Sequence, residues 1–279
     1  KHKVCINLAG GFRNGMEIIL TGLDIDAKAK VFIDTLFNSV GGKDQFDEVS
    51  VELHRTDKEN PSSNEEAMAS LLVSVKSRDS ELVGRLFSAK IIELALANIP
   101  GFFAQGGVKS SGPVIVYWPA LVDSKHIKEF VHINDKDIEI IPSSQLEFEE
   151  IYYQKAPVEL EEIESGPETE IYFGDLYGTR SGDKGGCANL GVWSKDQKSY
   201  SFLYNYLTVS KLKELLPDLK RYKIERYELA NINSLNFYIH DILQDGVSSN
   251  NRKDGQAKSL GEYLRAKKII VPASITGEI

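Results

Sequence analysis

Residues Ser70–Leu96 form the sequence SLLVSVKSRDSELVGRLFSAKIIELAL. In its first part, leucine and valine occupy every second position, a period that predicts a half-buried strand. After a capping Asp79 or Ser80, apolar residues recur at helical spacing until Pro100-Gly101. This stretch therefore predicts a strand followed by a helix, and its neighbours on both sides show what fold the pair belongs to.

The neighbouring segments extend this pattern in both directions. Glu48–His54 alternates in the same way and predicts a second strand, while Met16–Gly22 predicts an earlier strand that is followed by a helix after Asp24. Val114–Trp118 predicts a further strand, and Gly10–Gly15 a turn between strands. The order strand–helix–strand–strand–helix–strand is typical of the split βαβ arrangement in a ferredoxin-like α/β sandwich.

The second half of the chain is expected to follow a looser version of the same plan. Its apolar spacing predicts strands at 170–177, 188–193, 223–229, 235–239 and 269–271, and helices at 202–216 and 257–266. We therefore predict an α+β fold of two ferredoxin-like α/β sandwich domains, residues 1–143 and 170–279. A glutamate-rich stretch with two prolines, residues 144–169, predicts an acidic linker between them.

Composition limits the classes of function. The chain has 279 residues and a net charge of −8, without a basic stripe, which argues against a nucleic-acid partner. No apolar run approaches the roughly 20 residues that span a bilayer, so no membrane partner is expected. Cys5 and Cys187 are the only cysteines, which favours a reducing compartment, the cytoplasm. The chain begins at Lys1 rather than Met, so we expect it to be a piece of a longer protein, the alternative being processing of the first residue.

The sequence TRSGDKGGCAN, residues 179–189, is the first candidate site. It predicts a polar loop between two strands, in which Arg180 and Lys184 could hold an anion and Asp183 could orient one of them or act as a base. The alternative is a β-hairpin in which Arg180 and Asp183 only pair on the surface.

A second polar segment, Gln244–Lys258, is the other candidate. Asp254 could bind a hydroxyl and Lys258 an anion. The alternative, an exposed loop before a helix that Asp254 caps, is equally compatible with the residues. The five histidines are scattered, so we expect no metal site, and no motif in the chain predicts a cofactor.

These residues resemble the acyclic terpene utilisation protein AtuA family. The match to its C-terminal ferredoxin-fold domain runs through Arg180–Gly185, Asn189–Val192, Leu207–Pro217, Glu225–Leu229, Leu235–Phe237 and Asp254–Leu264. Gly10–Gly15, Leu23–Ala29 and Tyr117–Leu121 are similar to the later part of the family's main domain. The resemblance implies a preceding α/β region and a link to bacterial catabolism of citronellol- and geraniol-type terpenes through acyl-CoA intermediates.

Residues and resemblance together suggest an enzyme, or a subunit of one, that binds an acyl-CoA or other carboxylate and acts by hydratase or lyase chemistry. Asp183 is the predicted catalytic group. The predicted substrate-binding residues are Arg180, Ser181, Lys184, Asn189, Asp254 and Lys258. We expect a homo-oligomer. The alternative function is non-catalytic, an oligomerisation or subunit-docking module.

Overall fold

The computed structural model describes residues 1–97, 99–107, 109–140 and 158–276. They divide into two compact units. The first unit consists of Leu8–Val116 and Ser248–Lys253, and the second of Lys1–Asn7, Tyr117–Val247 and Asp254–Ile279. Of the acidic linker predicted for residues 144–169, residues 144–157 lie outside the described residues. The predicted domain limits stay predictions.

The first unit has the split βαβ order that the sequence predicts. Its strands pair in the order β2-β3-β1-β4, with neighbours antiparallel, and β5 pairs with β1. Strands β1 and β5 also supply residues to the second unit. The elements are β1 (His2–Thr21), α1 (Ile25–Ser39), β2 (Glu48–His54), β3 (Met68–Ser77), α2 (Arg85–Leu94), β4 (Phe102–Gln105) and β5 (Gly112–Val122).

The core of the first unit lies between one face of this sheet and the two helices. Alternate residues of β1 and β3, such as Ile18 and Val73, point to the same face and are fully buried. Phe32 of α1 and Phe87 of α2 cover them, and both are fully buried as well. The period-two and helical patterns of the sequence therefore locate this core.

Three expectations for the first half were wrong in detail. Gly10–Gly15 is part of β1 rather than a turn, and Phe12 pairs with Ser77 of β3. Helix α2 begins at Arg85, after a turn, and not at Asp79 or Ser80. The strand that closes the split βαβ order is β4, which precedes the predicted Val114–Trp118.

The second unit contains one larger sheet and two small ones. The larger sheet has the strand order β11-β12-β10-β9, and the two-stranded sheets are β6-β7 and β13-β8. All the pairs in these three sheets are antiparallel. The elements are β6 (Glu129–Ile133), β7 (Lys136–Ile140), β8 (Glu168–Tyr172), α3 (Phe173–Leu176), β9 (Gly178–Lys184), β10 (Cys187–Trp193), α4 (Gln197–Tyr206), α5 (Val209–Leu215), β11 (Ile224–Leu229), β12 (Ser234–Ile239), α6 (Leu260–Arg265) and β13 (Lys268–Pro272).

The larger sheet of the second unit buries one face and leaves the other exposed. Leu190 of β10 and Phe237 of β12 are directly paired and fully buried, together with Leu203 of α4 and Leu264 of α6. Side chains alternate along a strand, so the residues between them point to the opposite side, called the open face below. The open face carries Arg180, Asn189, Trp193, Tyr227, Asn236 and Tyr238.

The second half also departs from the expectations at several points. The predicted helix 202–216 is two helices, since α4 ends at Tyr206 and Thr208 starts the next one, where its side chain accepts a hydrogen bond from the backbone N–H of Lys211 and caps α5. The predicted helix 257–266 begins later, at Leu260. The strand predicted at 170–177 ends at Tyr172 and continues into α3. Within the described ranges, no helix combines the length and hydropathy that crossing a membrane requires.

Candidate functional site

The segment that the sequence predicts as a polar loop is a β-hairpin. Arg180 and Asp183 lie in β9, and Asn189 lies in β10, with Gly185-Gly186 as the connecting turn. The loop prediction was wrong because β9 is an edge strand whose outward positions need no apolar residues, so its sequence shows little hydrophobic alternation. The hairpin alternative is confirmed, but its proposed pair is not, since Asp183 pairs with Lys258 rather than with Arg180.

The hairpin turn is fixed to the second polar segment through the backbone. The N–H of Leu243 donates to the carbonyl of Gly186 over 2.8 Å. A Cβ atom at position 186 would lie 2.0 Å from the carbonyl oxygen of Gln244, closer than any real contact. Glycine is therefore required at position 186, and its lack of a side chain is what lets the two segments meet.

Two of the predicted binding residues are used to build the scaffold. The Asp254 carboxylate accepts hydrogen bonds from the backbone N–H groups of Lys258 (2.9 Å) and Ser259 (2.8 Å), which fixes the start of α6. The Ser181 hydroxyl accepts from the N–H of Gly261 at 3.1 Å and is only 7% exposed. The Ser181 hydroxyl therefore joins β9 to α6. Asp254 instead holds the turn before α6, and the helix-capping alternative was wrong in this detail, because the N-cap residue is Ser259 and no side chain caps the helix.

The two polar segments come together at Lys258. Its Nζ lies 3.7 Å from Oδ1 of Asp183, and both side chains stay partly exposed. A Cβ at position 182 would lie 3.1 Å from the same Nζ, so the ammonium occupies the space above Gly182. The structure thus brings Asp183 and Lys258, predicted separately from the sequence, into one place at the edge of the sheet.

Two further cations lie on the same strand. Arg180 and Lys184 share the open-face side of β9 with Gly182, because they are two residues from it in either direction. The Lys184 ammonium donates to the backbone carbonyl of Asp183 at 3.0 Å. Arg180 is exposed, and no carboxylate of the described residues forms an ion pair with it. We call Arg180, Lys184 and Lys258 the cationic patch.

Asn189 lies beside the patch and has a partner that the sequence did not single out. Asn189 is paired with Gly182 across the hairpin, and its amide nitrogen donates to Oδ1 of Asn236 at 3.2 Å. This leaves Oδ1 of Asn189 and Nδ2 of Asn236 for other partners. The signal for Asn236 is present in β12, where polar residues alternate with Leu235, Phe237 and Ile239.

Two protein-family models match the chain. The model for the acyclic terpene utilisation family protein AtuA matches residues 1–133, and the model for the AtuA ferredoxin-like domain matches residues 172–270. The chain belongs to the AtuA family. Every residue of the cationic patch, together with Asp183 and the asparagine pair, lies within the ferredoxin-like match. No curated protein and no solved structure matches the chain significantly.

Two titratable groups elsewhere on the open face of this AtuA domain, Glu225 and Tyr238, have pKa values that are shifted further from neutral pH. An interaction with Cys187, assisted by burial, raises the pKa of Tyr238 to about 12. Hydrogen bonds from Lys223 and Tyr227 lower the pKa of Glu225 to about 2. These groups can donate or accept hydrogen bonds, but they are poorly suited to exchange a proton in a reaction.

Among residues 1–97, 99–107, 109–140 and 158–276, no group of three or more His, Cys, Asp or Glu side chains is arranged to hold a metal ion.

Proposed function

We propose that the second unit binds a small anionic molecule, a carboxylate or an acyl-CoA thioester, at the cationic patch. The observation that supports this most is the position of Lys258 above Gly182. Gly182 lies on the same strand as Arg180, which has no carboxylate partner among the described residues. Among the described residues, Asp183 is the only carboxylate that forms an ion pair with a cation of the patch, so the patch keeps a positive charge in a chain whose net charge is −8.

The chemistry of the side chains fits such a ligand. The Arg180 guanidinium offers a planar fork that matches a carboxylate or phosphate, and Lys258 offers a point charge. Asn189 and Asn236 add one acceptor and one donor beside them. A hydrogen bond to a charged group contributes about 1.5–3 kcal/mol, so a few such contacts suffice for measurable binding.

The open face also offers apolar surface for an acyl chain. Trp193, Tyr227 and Leu229 are 40%, 50% and 41% exposed, and the strand register places them on the same face as Arg180. Exposed aromatic and aliphatic side chains next to an anion site favour a molecule with a charged head and a hydrocarbon tail. The acyclic terpenes of the family's description, once oxidised to acids and thioesters, have this form.

Asp183 is the candidate catalytic group for a hydration or lyase reaction. Its carboxylate lies at the patch, 3.7 Å from Lys258, and remains 36% exposed. In this position it can orient Lys258 or accept a proton from a water or a substrate at the edge of the sheet. Ser181 and Asp254 act in this scheme as positioning residues, since their side chains hold α6 and Lys258 in place.

We also propose a cytoplasmic location. Cys5 and Cys187 are both free thiols. Secreted and periplasmic proteins more often pair their cysteines as disulfides.

Calorimetric titration of octanoyl-CoA and of free octanoate into the protein tests the binding proposal. For whichever of the two ligands binds the wild type more tightly, Arg180→Gln should lower the affinity by roughly tenfold to hundredfold. This is the loss expected for one charged hydrogen-bonding group. Arg221→Gln is the matched control, because Arg221 is also exposed in the second unit but contacts Tyr222 instead. Equal affinity in the wild type and Arg180→Gln would exclude the proposed role of Arg180.

A further inference from the structure

The hairpin formed by β6 and β7 has a well-defined local structure. Asn134 and Asp135 connect the strands with φ angles of 45° and 62°. Positive φ at both central residues is the geometry of the two-residue turn that suits a twisted hairpin. In the part of the chain that the structure describes, β6 and β7 pair only with each other.

One face of this hairpin is apolar and the other is polar. The register pairs Val131 with Ile138 and Glu129 with Ile140, while Ile133 faces Lys136. Val131, Ile133, Ile138 and Ile140 therefore share one side, and they are 36%, 52%, 53% and 43% exposed. We call this side the apolar hairpin face.

The opposite side of the hairpin has charged partners of its own. His132 contacts Asp137 across the strands, and Lys128 lies 3.3 Å from Glu139. Phe130 is the one apolar residue of β6 on this side. The polar side is therefore suited to water, whereas the apolar hairpin face is not.

Residues 1–97, 99–107, 109–140 and 158–276 leave the apolar hairpin face exposed. Every residue of β6 and β7 is exposed, and none belongs to either hydrophobic core. A two-stranded hairpin alone is marginally stable in water, and a free strand edge beside uncovered isoleucines is prone to association. Four large apolar side chains in such a position indicate an interaction surface.

The charges at the ends of the apolar hairpin face identify what covers it. Glu129 lies at the base of the hairpin and Lys136 at its tip. If two such faces stack with the base of one over the tip of the other, each Glu129 lies diagonally opposite the Lys136 of the other copy. Stacking base over base would instead bring glutamate near glutamate and lysine near lysine. The face is thus complementary to itself in one orientation.

We propose that the apolar hairpin face is a dimerisation surface that packs on the same face of a second copy of this chain, antiparallel, about a two-fold axis. An isologous contact of this kind uses one patch twice and closes without forming a fibre. The area is small compared with standard interfaces, so the dimer is in rapid, concentration-dependent exchange with the monomer. Glu129 also lies 3.9 Å from His2 Nε2, and both side chains stay about half exposed in that contact.

Sedimentation velocity of the whole chain, over roughly a hundredfold range of concentration, tests this proposal. The wild type should shift from monomer to dimer as concentration rises. Val131→Lys/Ile138→Lys should weaken the dimer at least about tenfold, because two charges per copy would be buried. His132→Lys is the matched control on the polar side and should leave the dimer unchanged. Circular dichroism checks that each variant is folded, which we expect since the hairpin is outside both cores.

A charge exchange tests the orientation. Glu129→Lys alone and Lys136→Glu alone should each weaken the dimer by a few-fold, since like charges then meet. The double variant, Glu129→Lys/Lys136→Glu, should restore wild-type association. A wild type that stays monomeric at every concentration, a dimer that survives Val131→Lys/Ile138→Lys, or a double variant without restoration would each overturn the proposal. None of these outcomes depends on ligand binding at the cationic patch.

Discussion

Two lysines from the same polar segment of the chain face carboxylates at different distances. Lys253, in the first unit, lies 2.7 Å from Glu17, and Lys76 lies 2.7 Å from Glu48 on the same sheet. Lys258, in the second unit, stays 3.7 Å from Asp183, and Arg180 on the adjacent strand has no carboxylate partner among the described residues. The positive charges of the cationic patch are therefore paired less closely with carboxylates than Lys76 and Lys253 of the first unit.

The largest expected effect comes from breaking the contact that brings the two segments of the second unit together. Gly186→Ala would place a Cβ against the Gln244 carbonyl, so we expect a loss of about 3 kcal/mol in the free energy of unfolding. Tryptophan fluorescence during urea unfolding measures it, because Trp118 and Trp193, the two tryptophans of the chain, are both in the second unit.

Gly166→Ala is the control for this substitution. No atom lies within 4 Å of a Cβ at position 166, so its effect should stay within about 0.5 kcal/mol. An unfolding midpoint for Gly186→Ala that equals that of Gly166→Ala would show that the turn is not fixed on Gln244.

The next prediction compares the two lysines directly. Lys258→Met should lower the affinity for octanoyl-CoA about tenfold, because it removes one charge of the cationic patch, whose contact with Asp183, at 3.7 Å, is longer than a hydrogen bond. Lys253→Met should leave that affinity unchanged and instead cost the first unit about 0.5 kcal/mol, the value of an exposed ion pair. The same calorimetric titration measures both variants, and similar affinities for the two would remove the distinction between the units.

The ion pair between Glu17 and Lys253 should make the stability of the first unit depend on pH. Hydrogen bonds from Lys253 and Ser70 lower the pKa of Glu17 below its ordinary value of 4.5. A lowered pKa in the folded state means that the ion pair stabilises the protein above about pH 4.5 and that this contribution is lost as the pH falls through the folded-state value. On acidification, the hydrogen-exchange protection factors of β1 and β3, measured relative to the intrinsic exchange rate at each pH, should therefore fall more in the wild type than in Lys253→Met.

The smallest expected effect on stability is at Gly182. A Cβ there would meet only the flexible end of Lys258, so Gly182→Ala should change the free energy of unfolding by less than about 0.5 kcal/mol. It should still lower octanoyl-CoA affinity, by about threefold, because the ammonium must move from its place above the strand. Unchanged affinity would indicate that the position of Lys258 does not matter for binding.

The hydrophobic pattern allowed much of the fold to be predicted, but the role of glycine was harder to foresee. Glu48–His54 alternates so regularly that β2 was predicted with the bounds it has in the structure. Gly10–Gly15 was predicted as a turn, yet β1 continues through it, with Gly11 at a φ of 97°. A glycine in a strand allows another backbone to approach closely, and no local pattern separates that use from a turn.

The candidate site was predictable in its residue types and not in its arrangement. The density of charged residues at 179–189 singled out Arg180, Asp183 and Lys184. Which side of the strand each of them faces can be assigned only from the pairing of β9 with β10. The contact between Asp183 and Lys258 joins residues 75 positions apart in sequence and depends on the hairpin turn and α6. Such a contact depends on tertiary packing, which cannot be predicted from the spacing of residues along the chain.

The central claim is that the second unit has uncompensated positive charge that binds an acyl thioester or carboxylate. The most direct test is a calorimetric titration of octanoyl-CoA into the wild type, Arg180→Gln/Lys258→Met and Lys76→Met/Lys253→Met. The account predicts binding to the wild type and to the first-unit double variant, and no measurable binding to the second-unit double variant. Equal affinity in both double variants would contradict it.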